Sequence, residues 1–123
     1  MGLMEKVTGI GGMFFRARDP EALAAWYAEH LGIDPVGDKG AWSQEAGPTV
    51  FAPFEADTEY FGRRDQQWMA NFRVNDLDAM LVQLRAAGVN VDERLEVMDG
   101  IGRFGWVTDP EGNRFELWEP AAG

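Results

Sequence analysis

An internal repeat is the feature of this sequence that most limits its fold. Two aromatic-rich runs, at 13–18 and 67–74, are each followed by an aspartate, and Asp76 stands 57 residues (76 − 19) after Asp19. At this offset the matches fall at strand end and helix start, with Phe15 on Phe72 and Arg16 on Arg73. Self-similarity at a fixed offset indicates repeated copies of one backbone plan. We therefore predict two βαβββ modules in a single domain (residues 1–123), with one helix on each sheet.

Both predicted helices have a start signal and a stop signal. Asp19 and Asp76 are favourable N-cap residues, and Pro20 suits the first helical position. Gly32 and Gly88 stand where glycine commonly ends a helix. We predict helices from 20 to about 31 and from 77 to about 87.

The predicted strands are short runs rich in aromatic and β-branched residues. They belong to a first module at about 7–62 and a second module at about 67–120, joined by the polar stretch 63–67. A Gly/Pro/Asp-rich connection follows the first helix. The strands are expected near 13–18, 41–44, 49–54, 67–74, 94–98, 103–108 and 114–119.

Charge and composition limit the partners of this chain. It has 21 acidic and 11 basic residues, a net charge of −10, and no cysteine. Binding of nucleic acid requires a basic surface, so we expect no nucleic-acid partner. We find neither an apolar run of the ~20 residues that span a bilayer nor a secretory signal pattern. We therefore expect no membrane partner and a cytoplasmic protein.

The closing sequence ThrAspProGluGlyAsnArgPheGluLeuTrpGluPro (108–120) carries a family resemblance. Together with LeuGlyIle after the first helix, AlaAlaGlyVal after the second and the repeat, it resembles the vicinal oxygen chelate superfamily. This group includes glyoxalase I, extradiol dioxygenases and bleomycin-resistance proteins. The resemblance implies an α+β fold: two βαβββ modules form a curled mixed β-sheet cup, with the helices on its outer face. In metal-dependent members, four side chains hold a divalent ion in the cup.

The resemblance places those four metal positions at Gly12, Phe51, Met69 and Glu116. Only Glu116 has a side chain suited to a hard divalent ion, whereas sites for ions such as Zn²⁺ use three or four protein donors. We therefore expect no metal and no other cofactor. A divalent metal held by unorthodox ligands is the alternative.

The alternation of side chains along strands predicts which residues line the cup. The residues that alternate with the cup-facing ones project from the other side of the sheet, which is expected to lie under the helices. They are all apolar: Phe15, Ala17, Phe72, Val74, Phe115 and Leu117. Two interpretations of the cup stay open: Glu116 pairs with Arg16 or Arg73, or these polar groups bind a ligand. The predicted ligand-binding residues are Phe14, Arg16, Phe51, Met69, Asn71, Arg73, Arg114, Glu116 and Trp118. Further aromatic residues suited to a pocket wall are Trp42, Phe54, Tyr60, Phe61, Trp68 and Trp106.

Three functions are consistent with this sequence. The first is a metal-free protein that binds a small organic molecule, as in the bleomycin-resistance branch; the acidic net charge suits a cationic ligand. The second is a lyase, isomerase or dioxygenase that uses Glu116 with unorthodox ligands or as a general acid/base. The third is a dimeric interaction module, since members of the resembled family commonly dimerise. We expect a homodimer with a small-molecule ligand.

Overall fold

A computed structural model describes residues 4–34 and 41–122 of the chain. Residues 35–40, within the predicted connection after the first helix, lie outside this part. The secondary-structure elements are α1 (Pro20–Leu31), β1 (Asn71–Arg73), α2 (Leu77–Ala86), β2 (Asn90–Met98), β3 (Gly102–Thr108) and β4 (Arg114–Pro120). In the described part, every helix is too short or too polar to cross a membrane.

Both helices begin and end at the predicted signals. The Asp19 carboxylate accepts a hydrogen bond from the backbone N–H of Ala22 at 3.1 Å, and that of Asp76 accepts one from Ala79 at 3.0 Å. These bonds satisfy N–H groups that lack a partner inside a helix. Helix α1 ends at Gly32, whose φ of 71° lies in the left-handed region that glycine adopts without strain. The helix predictions are confirmed.

The four strands form one mixed sheet in the order β1-β4-β3-β2, and this sheet is open. Strand β4 lies between β1, to which it is parallel, and β3, to which it is antiparallel. Glu116 on β4 is the partner of Asn71 on β1 and of Trp106 on β3. The register between β2 and β3 is irregular between Val91 and Leu95.

The helix-facing side of the sheet forms the hydrophobic core. Phe115 and Leu117 of β4 pack with Leu77, Leu81 and Leu84 of α2, and all five are buried. Trp26 and Tyr27 of α1 pack against the same cluster, as do Phe72 and Val74. The structure thus places the apolar parity of β1 and β4 beneath the helices, as predicted. The α+β class with a curled mixed sheet is confirmed.

The closing turn 109–113, AspProGluGlyAsn, attaches helix α1 to the sheet. Asp109 is buried and accepts a hydrogen bond from the Tyr27 hydroxyl at 2.7 Å. The two Glu111 oxygens accept from the backbone N–H groups of Arg18 at 2.6 Å and Asp19 at 3.0 Å. The turn signal in the sequence therefore has a structural role: its carboxylates hold the start and the middle of α1.

The first half of the chain differs from the prediction. Its described residues 4–34 and 41–62 include α1 but no strand, so the strands predicted at 13–18, 41–44 and 49–54 are not formed. A β-strand is stable only when a neighbouring strand satisfies its backbone groups. These segments face solvent instead: Phe14 is 97% exposed and Phe51 is 80% exposed. In the described part, the complete βαβββ arrangement belongs to the second half.

Candidate functional site

The candidate site lies on the sheet face opposite the helices, which we call the cup face. Alternate residues of the strands project from it: Asn71 and Arg73 from β1, Phe104 and Trp106 from β3, and Arg114, Glu116 and Trp118 from β4. The Phe104 and Trp118 rings lie parallel (3° between planes) with centroids 6.0 Å apart. Five predicted ligand-binding residues therefore share one face.

Glu116 is the buried carboxylate of the cup face, with 7% of its surface exposed. One oxygen, Oε1, accepts a hydrogen bond from Asn71 Nδ2 at 2.5 Å. The other, Oε2, accepts one from the Tyr60 hydroxyl and one from Trp106 Nε1 at 3.1 Å. A buried carboxylate is costly unless its oxygens are hydrogen-bonded, and a hydrogen bond to a charged group contributes about 1.5–3 kcal/mol. Three uncharged donors fulfil this role.

The predicted arginine pair with Glu116 is absent from the described residues. The Arg73 guanidinium donates instead to the backbone oxygens of Glu45 (2.8 Å) and Pro48 and to Thr49 Oγ1 (3.1 Å). Arg16 is exposed before α1. The expectation failed because three neutral donors from neighbouring elements already satisfy the carboxylate. Arg73 therefore holds residues 45–49, which we call the strap, against the edge of the cup face.

Trp106 forms the fully buried floor beside Glu116, with 0% exposure. The guanidinium carbons of Arg94 and Arg114 lie 5.0 Å and 5.5 Å from its ring centroid, within the range of cation–π attraction. Arg94 also pairs with Glu96 at 2.8 Å, and Arg114 with Asp92 at 3.3 Å. Arg114 thus lies near the site as predicted, but its role here is to cover the tryptophan.

Tyr60 reaches Glu116 from the stretch before the sheet. Its ring stacks on Phe54 with centroids 5.4 Å apart and meets Trp106 edge-on at 6.1 Å. Burial, followed by the hydrogen bond to Glu116 and the charge of Glu116, raises the pKa of the Tyr60 phenol well above its ordinary value. The hydroxyl therefore stays protonated and donates a hydrogen bond to the carboxylate.

Other predicted site residues lie elsewhere. Phe14, Arg16 and Phe51 are exposed, since the strands expected to carry them are not formed. Met69 is half-buried just before β1. Sequence reasoning named Tyr60 and Trp106 only as aromatic wall candidates, and it missed Arg94. The cluster of aromatic residues at Phe54, Tyr60 and Phe61 was the available signal.

Two cavities lie near the sheet. The smaller, of about 50 Å³, is on the cup face between the strap and the sheet and is lined by Pro48, Thr49, Val50, Asn71, Arg73 and Trp118. The larger, of about 370 Å³, lies at the end of the sheet, with Asp99, Arg103 and Glu119 in its wall. We assign the candidate site to the smaller cavity because Asn71, which lies in its wall, donates a hydrogen bond to the buried Glu116 carboxylate.

The side chains around Glu116 do not fit a divalent metal. The neighbours of its oxygens present N–H and O–H hydrogens, whereas a metal ion requires lone pairs. The other implied positions supply glycine, an exposed phenylalanine and a methionine. Among residues 4–34 and 41–122, no group of three or more His, Cys, Asp or Glu side chains is placed to hold a metal.

Comparisons with known proteins agree with this architecture. TnmS3, an antibiotic binding protein from Streptomyces sp. CB03234, is 23% identical with a TM-score of 0.62, covering 96% of this chain and all of its own. A member of the Glyoxalase/bleomycin resistance protein/dioxygenase superfamily from Sphaerobacter thermophilus DSM 20745 is 19% identical with a TM-score of 0.57. The match covers 92% of this chain and 98% of that chain. Lactoylglutathione lyase from Agrobacterium tumefaciens is 17% identical with a TM-score of 0.55, covering 94% and 96%. At these identities the likeness shows the fold alone.

No curated protein sequence matches this chain. The family model of the Glyoxalase/Bleomycin resistance protein/Dioxygenase superfamily matches residues 9–117, which is most of the chain. With the fold and the closing strand described above, the chain belongs to the Glyoxalase/Bleomycin resistance protein/Dioxygenase superfamily.

Proposed function

We propose that this protein binds a small organic molecule on its cup face, through Glu116 and the surrounding aromatic side chains, and that it does so without a metal. The observation that carries this proposal is the set of donors around Glu116: Tyr60, Asn71 and Trp106 are all uncharged. A carboxylate without a cationic partner retains the capacity to accept hydrogen bonds from a ligand. Ligand sites combine such a polar group with apolar walls.

The aromatic side chains supply the apolar part of the proposed site. Trp118 and Phe104 present parallel rings on the same sheet face as Glu116. Phe54 is 49% exposed and stacks on Tyr60 above the carboxylate. Flat rings bind to such surfaces by stacking and by burial of apolar area. A further support is the likeness of the fold to that of TnmS3, which is an antibiotic binding protein.

We also propose that the protein is a cytoplasmic homodimer. The supporting observation is the number of apolar side chains that face solvent in the first half, including Met13, Phe14, Val50 and Phe51. Exposed apolar patches of this kind mark surfaces that another chain covers. A second copy is the simplest partner, and light scattering of the purified protein tests this expectation.

The binding proposal is tested by calorimetric titration with proflavine and with 2-naphthol, two planar aromatic molecules with hydrogen-bond donors. We expect Glu116→Gln to weaken binding at least about tenfold, because one charge-assisted hydrogen bond contributes about 1.5–3 kcal/mol. Glu29→Gln, which removes the same charge from an exposed position on α1, is the matched control and should leave binding unchanged. Absence of binding by both compounds to the wild-type protein would refute the proposal.

An enzyme is the second candidate, favoured by the contact between the Tyr60 hydroxyl and Glu116. This contact provides a route for a proton between a phenol and a carboxylate, as general acid–base catalysis requires. For such an enzyme, Glu116→Gln should lower turnover by about 10²–10⁴-fold. Conversion of a bound compound by the wild-type protein, and its loss in this variant, would support catalysis over simple binding.

A further inference from the structure

We propose that Tyr60 occupies the place of the ligand, and that the ligand is therefore a hydroxylated aromatic molecule. This inference rests on the proposed binding function and names the chemical class that the cup face recognises. The Tyr60 side chain is a phenol whose ring lies against Phe54 and Trp106 and whose hydroxyl donates to Glu116. A phenol in this position thus packs its ring against aromatic side chains and donates a hydrogen bond to the carboxylate.

The three donors to Glu116 differ in how firmly the fold holds them. Asn71 lies on β1 and Trp106 on β3, and both strands are paired directly with β4. Tyr60 lies in a stretch of turns between the strap and β1, outside the sheet. Its backbone is held by a hydrogen bond from its N–H to Thr58 Oγ1 at 3.2 Å and by one from Arg114 Nε to its carbonyl oxygen at 3.1 Å. Of the three donors, Tyr60 is the one that a ligand can displace without disturbing the sheet.

Displacement of Tyr60 removes only one of the three hydrogen bonds that Glu116 accepts. Glu116 keeps the hydrogen bonds from Asn71 and Trp106, one on each oxygen. A ligand hydroxyl then replaces the one hydrogen bond that Tyr60 withdraws. Glu116 therefore accepts the same number of hydrogen bonds before and after the ligand binds. Stacking of the ligand ring then favours the bound state.

The choice of a hydroxyl over an ammonium group as the donor rests on the group that already occupies this position. The Tyr60 phenol, which donates to Glu116, is uncharged. The guanidinium groups of Arg94 and Arg114 lie 5.0 Å and 5.5 Å from the centre of the Trp106 ring, and each is paired with a carboxylate, that of Glu96 and that of Asp92. Their charges are therefore balanced locally, and the chemistry of Tyr60 indicates the class of the ligand.

The inference is tested by calorimetric titration with 2-naphthol and with 2-methoxynaphthalene, which has the same rings but no donor. The wild-type protein should bind 2-naphthol at least about tenfold more tightly, the factor that one hydrogen bond to a carboxylate supports. Tyr60→Phe should bind 2-naphthol more tightly than the wild type, by about tenfold, because its closed arrangement lacks the competing hydrogen bond. Tyr27→Phe removes the hydroxyl of the other tyrosine, which bonds to Asp109, and should leave the affinity unchanged.

Two results would overturn the inference. Equal affinity of the wild-type protein for the two naphthalenes would mean that the hydroxyl is not recognised. Unchanged or weaker binding of 2-naphthol to Tyr60→Phe would mean that Tyr60 is a fixed wall of the site. Binding of proflavine that depends on Glu116, together with either result, would leave the binding function standing and remove only this ligand class.

A measurement on the wild-type protein alone gives an independent check. With carbon-13 in the tyrosine rings, addition of 2-naphthol should move the NMR signals of Tyr60 towards those of a solvent-exposed tyrosine. The signals of Tyr27 should stay in place because its hydroxyl remains bonded to Asp109. Unmoved Tyr60 signals at saturating 2-naphthol would contradict displacement even if the compound binds.

Discussion

The two halves of this chain share one sequence pattern but differ in how their backbone N–H and C=O groups find hydrogen-bond partners. In the second half, β1, α2, β2, β3 and β4 follow one another, and every strand has a neighbour in the sheet. In the first half, the described residues form only α1, and the rest is attached by side chains such as Tyr60 and Arg73. Helices satisfy their backbone groups internally, whereas strands need a partner. A repeated sequence therefore yields a repeated helix without yielding a repeated sheet.

The largest effect on stability is expected when a phenylalanine is replaced by alanine, and this replacement can be made in each half. Phe115→Ala should lower the free energy of unfolding by about 3–5 kcal/mol, because the ring is buried among the α2 leucines. Phe14→Ala should change it by less than about 0.5 kcal/mol, because the ring is 97% exposed. Urea denaturation measures both. A cost for Phe14→Ala comparable to that for Phe115→Ala would show that the first half is packed in solution as tightly as the second.

A second test sharpens the comparison at the joint between the halves, the bond from Tyr27 to Asp109. Burial, and then the hydrogen bond and charge of Asp109, raise the pKa of the Tyr27 phenol above its ordinary value. Its contribution to stability is therefore complete below the unfolded pKa of about 10 and is lost as pH rises above it. We expect this group to cost the wild type about 1.4 kcal/mol of stability in total between pH 9 and pH 11, as measured by urea denaturation at these two pH values.

The matched variant for that test is Tyr27→Phe, which has no proton to lose at this position. Its stability should fall less steeply between pH 9 and pH 11 than that of the wild type. Equal slopes for the two proteins would mean that the Tyr27 hydroxyl is free in solution and that α1 is held by packing alone. Tyr60 is more exposed than Tyr27, so solvent screening reduces its part in this slope.

The smallest expected effect on stability is that of Arg73→Ala, which releases the strap. The side chain bonds to the first half alone, so the global free energy of unfolding should change by about 1 kcal/mol or less. Cleavage of the chain after Glu45 by a glutamate-specific protease should nevertheless become faster, while hydrogen exchange of the β3 and β4 amides stays the same. Arg64→Ala, which removes one bond to the Asp57 carbonyl, is the control. Unchanged cleavage after Glu45 would show that other contacts hold the strap.

Local patterns in the sequence predicted the parts of this fold that depend on local physics. The aspartate caps fixed both helix starts, and alternation along β1 and β4 separated Asn71, Glu116 and Trp118 from Phe72 and Leu117. The first-half strands were not predictable in this way, because a strand depends on a distant partner. The similarity between the two halves in sequence does not indicate which half forms paired strands.

The composition of the site was only partly predictable for the same reason. Trp106 is ten residues from Glu116, and strand pairing would suggest their contact. Tyr60 is 56 residues away and reaches the carboxylate through a stretch of turns with no periodic pattern. The expected arginine pair followed from charge alone. Neutral donors can satisfy a buried carboxylate equally well, and no sequence rule ranks them against an arginine.

The way Arg73 holds the strap has a consequence for how this protein can vary among its relatives. Two of the three acceptors are backbone oxygens, of Glu45 and Pro48, and a backbone oxygen is present whatever side chain the residue bears. Those two positions are therefore free to drift without loss of the attachment. Gly47 is the exception, since a Cβ there would lie 2.8 Å from Arg73 Nε. Homologues that keep the arginine should thus keep glycine opposite it, while the rest of the strap diverges.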